Sequence, residues 1–264
     1  MALTGRIRVL RLTRRSPASE APGRFRCLLR RRARNREQAA LRLYARFVRR
    51  GSLCFDVGAN VGDRTATLVR LGARVVAIEP QIACVAELER RFGDAVRVVS
   101  AAVGAKEGRE ELLVADYPTL STLNPQWIEA VRASGRFAEF DWTKRVQVDV
   151  TTLDTLIERF GSPEFCKIDV EGYELEVLRG LSQPIPALSF EFDHELLDSR
   201  LACVDHLDRL GMGKFNFSSG ESMRLSFRRW LDADAIHTFL VSAPRDAVFF
   251  GDVYASTPSP RSLR

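Results

Sequence analysis

From residue 50 onward the chain alternates short apolar runs with amphipathic stretches of helical length. Leu53, Cys54 and Phe55 suit a buried strand, and Ala66, Leu68, Val69 and Leu71 lie on a helix-length segment that ends at Gly72. Arg74 to Glu79 is a second apolar run closing on an acid. Ile82 to Phe92 reads as a helix with Val85, Leu88 and Phe92 on one face, and Val96 to Val99 as a third strand. This order predicts a parallel sheet with right-handed crossovers and a ligand crevice at the strands' carboxyl ends. Further on, Glu111 to Ala115 and Val146 to Val150 read as strands, and Thr152 to Phe160 as a helix capped by Thr151 or Thr152. A buried strand starts at Phe165 and is followed by a helix through Leu181. Leu188 to His194 is a fifth strand, Arg200 to Leu210 a helix, and Lys214 to Ser218 and Ala247 to Ala255 the sixth and seventh strands. Ahead of all these, Ala40, Leu43, Tyr44, Phe47 and Val48 recur with helical period, which predicts a helix that caps the sheet.

Two stretches break the rhythm of alternation and carry candidate chemistry. The first is Phe55-Asp-Val-Gly-Ala-Asn-Val-Gly62, a strand-to-helix turn whose glycines let the backbone bend and approach a ligand. Its G-x-x-x-G spacing is not the dinucleotide pattern. An acid beside the turn, Asp56, disfavours a pyrophosphate and suits a ligand with an amino group, such as S-adenosylmethionine. The competing reading of Gly58 and Gly62 is tight strand–helix packing. Glu79 stands at the end of the second strand, where a carboxylate matches the two hydroxyls of a ribose. The second stretch runs from Phe165 to Glu174 and emits Asp169 and Glu171 at a strand end, where an unpaired acid is costly to bury. A salt link to Lys167 or an arginine is the structural alternative for these two. His194 and Glu191 close the fifth strand with further ionisable groups. The long polar segment 116–145 contains Trp127, Phe137, Phe140 and Trp142, and that aromatic content favours a substrate lid over disorder.

Composition changes this picture at one end only. The chain has 264 residues and ordinary globular content, with 45% hydrophobic and 28% charged residues and a net charge of +6. The first 50 residues hold sixteen arginines and no lysine against Glu20 and Glu37, so the remainder is mildly acidic. Residues 1–35 therefore read as a basic, flexible arm able to contact an anionic surface. Without aromatic interleaving or a recognition motif it does not read as a nucleic-acid arm. Five scattered cysteines without a C-x-x-C pair argue for a reducing compartment and against a zinc or disulfide framework. No apolar run is long enough to span a bilayer. With arginine far exceeding lysine, the expectation is a cytoplasmic, bacterial protein, membrane-peripheral at most.

The ordered motifs Phe55 to Gly62, Ile78-Glu-Pro80, Ala102-Val-Gly104, Thr152-Leu-Asp154 and Lys167-Ile-Asp-Val-Glu-Gly172 resemble the FkbM family of S-adenosylmethionine-dependent methyltransferases. The resemblance covers roughly residues 50–255. It implies an α/β, Rossmann-like class I methyltransferase fold: a seven-stranded, mostly parallel sheet with its last strand antiparallel, and here an added basic N-terminal arm and helix. The implied domains are the arm, a methyltransferase domain over 36–255 with 116–145 as a lid insertion, and a tail over 256–264. It also implies S-adenosyl-L-methionine as cofactor, held by Asp56, Gly58, Asn60, Gly62, Glu79, Ala101, Ala102 and Asp169. The implied reaction carries a methyl group to a hydroxyl oxygen of a small molecule or glycan. A general base is then sought among His194, Asp169 and Glu171, with Glu191 a further candidate. Asp169 and Glu171 alone lack a third ligand, so no metal is expected. The alternatives are an RNA or protein methyltransferase docked through the arm, and a non-catalytic module that binds adenosine compounds.

Overall fold

The computed structural model describes residues 35–244 and 249–258. The expected arm falls almost wholly outside them, as does most of the tail. Helix α1 covers 35–44, and its expected apolar stripe is buried: Tyr44 is fully covered, and the Phe47 ring just beyond stacks on Phe165 and Tyr254 at 5.2 and 5.5 Å. The stripe thus caps the sheet, as its period predicts.

The sheet has seven strands in the order β3-β2-β1-β7-β8-β10-β9: β1 is Leu53–Val57, β2 Arg74–Ile78, β3 Val96–Val99, β7 Phe165–Ile168, β8 Ala187–Phe192, β9 Lys214–Ser219 and β10 Gly251–Ser256. All run parallel except β10, which pairs antiparallel with both β8 and β9. This is the expected architecture. Helices α2 (Asp63–Arg70) and α3 (Ile82–Phe92) join α1 on one face, where Leu68 and Leu88 pack on Cys54, Val75 and Ala77. On the other face lie α5 (Leu153–Phe160), α6 (Glu174–Arg179), α7 (Leu197–Arg209) and α8 (Ala233–Ser242), over Phe55, Ile168 and Phe190. The chain leaves β1 toward β2 and β3, then returns to place β7 on β1's other side. That reversal opens a crevice at the carboxyl ends of β1 and β7.

Local signals explain several boundaries. Thr152 caps α5 by accepting from Thr155 N at 3.0 Å, and α3 stops at Gly93, whose φ is 49°. Helix α8, an element beyond those expected, is capped by Asp232, which accepts from Ala235 N. The seventh strand runs over Gly251–Ser256, and its expected start at Ala247 lies outside the described residues.

The stretch 105–150 departs furthest from expectation. Its strands, β5 (Gly108–Val114) and β6 (Lys144–Thr151), pair antiparallel and join β4 (Ala102–Val103) in a separate three-stranded sheet, order β4-β6-β5. Between them, 116–145 is not a polar loop. It contains helix α4 (Pro125–Ala133), capped by the Asn124 side chain, and Trp127, Ile128 and Val131 form a core with Leu113 and Leu120. The aromatic residues noted in the sequence fill this core: Trp127 is fully buried, with Phe137 and Trp142 against it.

Candidate active site

A hollow of about 430 Å³ lies at the carboxyl ends of β1, β2 and β7, closed on its far side by residues of 117–123. Gly58 has φ 76°, and a Cβ there would stand 1.9 Å from the carbonyl oxygen of Asp169. The turn after β1 and the loop after β7 can approach this closely only because residue 58 has no side chain. The turn is then tied to β2, since Gly58 N and Ala59 N both donate to Ile78 O.

Glu79 faces the hollow and is buried, with each carboxylate oxygen oriented by a backbone amide. Asn60 N donates to Oε2 and Gln81 N to Oε1, both at 2.9 Å. Burial pushes its carboxyl above the ordinary value of 4.5, and the two amide bonds pull it back. Each oxygen keeps a free lone pair for a hydroxyl donor. The turn's own amides are therefore engaged rather than free for a ligand: Asn60 N serves Glu79, Val61 N donates to Asn60 Oδ1 and Gly62 N to Ala59 O. Unengaged helix amides begin one step later, in the first turn of α2, where Asp63 and Arg64 line the hollow. Arg64 and Arg36 both pair with Glu221 at its rim, at 3.0 and 2.6 Å.

Asn60, Ala101, Ala102, Asp169 and Glu171 also line the hollow. Asp56, Gly62 and His194 do not. Asp56 is buried on the α2 face of the sheet, where Thr65 Oγ1 donates to its Oδ2 at 2.5 Å, and burial pushes its carboxyl up. It anchors the start of α2 from beneath. A Cβ on Gly62 would strike Phe92 and Leu88 on α3, so this glycine answers to the packing alternative. His194 lies between the rings of Phe192 and Phe249, with centroids at 5.3 and 5.7 Å. All three departures share a cause: strand alternation and helix packing turned residues near the site in sequence away from it.

Asp169 is partly exposed and takes the salt link considered from sequence, with Lys167 Nζ at 3.1 Å; Lys167 also meets Asp252 at 3.0 Å. Glu171 sits at φ 51° in a loop held by several side chains. Thr122 Oγ1 donates to its carbonyl at 2.6 Å and Asn124 Nδ2 to Gly172 O at 2.7 Å. Below the loop, Glu174 accepts from Val170 N and pairs with the fully buried Arg200, which reaches Asp193 at 3.2 Å. The Trp127 indole donates to the same Asp193 at 2.9 Å, joining the insertion to the network. Glu174 and Arg200 escaped the sequence reading. Their signal, an acid and an arginine on separate helices, becomes legible only once those helices touch.

Residues 56–202 match the family model described as the methyltransferase FkbM domain, more than half of the chain. The chain belongs to the FkbM methyltransferase family. Membership implies S-adenosylmethionine as the cofactor. One relative is methyltransferase sdnD of Sordaria araneosa, 30% identical over 154 residues that cover 48% of this chain and 60% of that protein. The chain thus matches about three-fifths of that relative's length. Among solved structures, precorrin-6y C5,15-methyltransferase from Geobacter metallireducens aligns at 10% identity and a TM-score of 0.42, covering 84% of this chain and 87% of its own. A TehB-like SAM-dependent methyltransferase from Corynebacterium glutamicum aligns at 11% identity and a TM-score of 0.42, covering 83% and 87%.

Proposed function

We propose that this FkbM-family chain transfers the methyl group of S-adenosylmethionine to a hydroxyl oxygen of a small molecule or glycan. The observation that carries the reading is Glu79: a buried carboxylate at the end of β2, oriented by two backbone amides and facing a hollow with acids across it. The residues present suit the cofactor. Glu79 offers two acceptor oxygens to a ribose diol, and Ala101 and Ala102 present small side chains and backbone to an adenine. The first turn of α2 with Arg64 suits a carboxylate, a role the turn's own amides are too engaged to fill.

Bound there, S-adenosylmethionine supplies a methyl group already activated by a positive sulfur. The protein's task is then to orient the acceptor oxygen and assist loss of its proton. Orientation is worth up to about 7–11 kcal/mol of barrier, and a base contributes about 10²–10⁴-fold. His194 lies off the hollow's wall, so Asp169 and Glu171 are the remaining acids of the expected set able to face an acceptor. The stretch 117–123 roofs the acceptor side, pinned through Gln81, which donates to Pro118 O at 3.0 Å and accepts from Ser121 Oγ at 3.1 Å. We read 116–145 as a roof that positions the acceptor.

The test is calorimetry followed by transfer. Glu79→Gln is expected to weaken S-adenosylmethionine binding by about ten- to a hundredfold, because an amide must present N–H where a hydroxyl donor belongs. Normal affinity in a folded Glu79→Gln protein sinks the site assignment. Labelled cofactor incubated with candidate hydroxyl acceptors then identifies the substrate class.

A second reading, an anionic substrate such as RNA, draws support from one observation. A groove of about 370 Å³ between α1 and residues 223–228 is lined by Arg42, Arg46, Arg224 and Arg228.

A further inference from the structure

At the edge of the cofactor hollow, at the carboxyl ends of β7 and β8, the carboxylates of Asp169, Glu171 and Glu191 come together with one oxygen from each lying within 4.8 Å of the others. Three like charges this close in a partly buried place repel one another unless a cation or shared protons intervene. The neighbouring cations are engaged elsewhere. Lys167 serves Asp169 and Asp252, Arg136 lies 3.1 Å from Glu195, and Arg200 bridges Glu174 and Asp193.

Among the described residues only Asp169 of the three forms an ion pair. The Arg136 charge favours the ionised forms of Glu171 and Glu191 against the burial that pushes both up, yet its ion pairs go to Glu195 and Asp193. Glu171 is 8% exposed, and among the described residues its carboxylate makes no hydrogen bond or ion pair. Glu191 Oε2 is buried without a hydrogen-bond partner. Fold stability does not call for a buried, unpaired carboxylate oxygen of Glu191 beside two other acids, since buried polar atoms are nearly always paired. The loop that presents Glu171 is held from both sides, by Thr122 and Asn124 above and by Glu174 below, so the cluster cannot easily relax apart.

We propose that Asp169, Glu171 and Glu191 bind a divalent cation, and that this cation takes the acceptor's hydroxyl oxygen. The second half rests on the methyl-transfer reading; the first does not. An all-oxygen, carboxylate set suits a hard ion such as Mg²⁺ or Mn²⁺, and it lacks the sulfur and imidazole donors of a zinc site. Three protein oxygens leave positions on an octahedral ion for water and an alcohol. Coordination lowers the alcohol's pKa, and its proton passes to water at the open side, where Asp169 is about a third exposed. The oxygen then forms its bond to the methyl carbon while the carbon–sulfur bond breaks with its electron pair going to sulfur. The products are a methyl ether, S-adenosylhomocysteine and one proton. The cation would fill the role sought in His194.

Titration of the full chain with MnCl₂, followed by electron paramagnetic resonance and calorimetry, tests this. The expected result is one Mn²⁺ per chain, displaced by MgCl₂, with affinity at least about tenfold weaker in both Glu191→Gln and Glu171→Gln. Should one variant fail to fold, the other carries the same expectation. Absence of Mn²⁺ binding at millimolar concentration overturns the inference, as does equal binding by wild type and variants. A parallel titration of the metal-free wild type with S-adenosylmethionine separates the two readings. Cofactor binding without Mn²⁺ binding overturns only the cation site, whereas loss of cofactor binding overturns the methyl-transfer reading itself.

Discussion

Asp56 and Glu79 are both acids at the ends of adjacent parallel strands, yet their surroundings give them different tasks. Glu79 faces the hollow with both oxygens oriented, whereas Asp56 is fastened beneath α2 by Thr65. Asp56→Ala is therefore expected to lower stability by about 1–3 kcal/mol, because the buried Thr65 hydroxyl loses its acceptor. In the protein that remains folded, S-adenosylmethionine affinity should stay within a few-fold of wild type. Denaturant unfolding and calorimetry on the same sample decide, and a large affinity loss at unchanged stability would return Asp56 to the binding surface. Glu79 also sets a pH dependence. Burial raises its carboxyl above 4.5, so in the interval just above that value the folded protein holds a proton that the unfolded chain has released. Its contribution to stability thus falls as pH rises through that interval. Ligand hydroxyls donate to the ionised form, so cofactor affinity should rise with pH over the same interval. Glu79→Gln should flatten that rise, which calorimetry in buffers of different ionisation enthalpy measures.

At the scale of elements, the turn after β1 and the loop after β7 work as a pair. Gly58→Ala would place a methyl group against the Asp169 carbonyl and also strain a φ of 76°. Gly93, at φ 49° with nothing within 4 Å of an added Cβ, is the control with strain alone. Gly93→Ala should cost about 1–3 kcal/mol, while Gly58→Ala should cost more and lose cofactor binding; equal thermal shifts in the two variants would remove the close-approach argument. Much at this scale was legible in the sequence. Helix α3 and strand β3 run over the residues their apolar periods mark, because each buries one clear face. Helix α4 is not legible in the sequence because its apolar residues lie amid polar and aromatic neighbours, a composition that equally suits a substrate lid. In the fold those rings bury one another, since the insertion has to supply its own core. The strands flanking it were legible, but their pairing into a second sheet was not, because pairing joins residues 30 to 42 apart.

Among the described residues an acidic cluster lies at the mouths of β7 and β8, and an arginine-lined groove lies along α1 and residues 224–228. If the groove of Arg42, Arg46, Arg224 and Arg228 engages a polyanion, affinity for a single-stranded oligonucleotide should fall steeply with salt. Replacing two of these arginines by alanine should then lower the slope of log affinity against log salt by roughly 1.4, at about 0.7 per contact. A slope unchanged by the replacements argues for a small, uncharged acceptor. No helix among the described residues is long and apolar enough to cross a membrane.

The sequence by itself determined the strand–helix alternation, the turn that requires Gly58, the acid that ends β2 and the family to which the chain belongs. These are local properties, set by side-chain periodicity and by the conformations each residue allows. Only the tertiary structure decided that Asp56 faces away, that His194 lies among phenylalanines, and that Glu191 joins Asp169 and Glu171. Proximity between strand ends depends on strand order and on the face each side chain takes, and a chain read residue by residue holds neither until the sheet has formed.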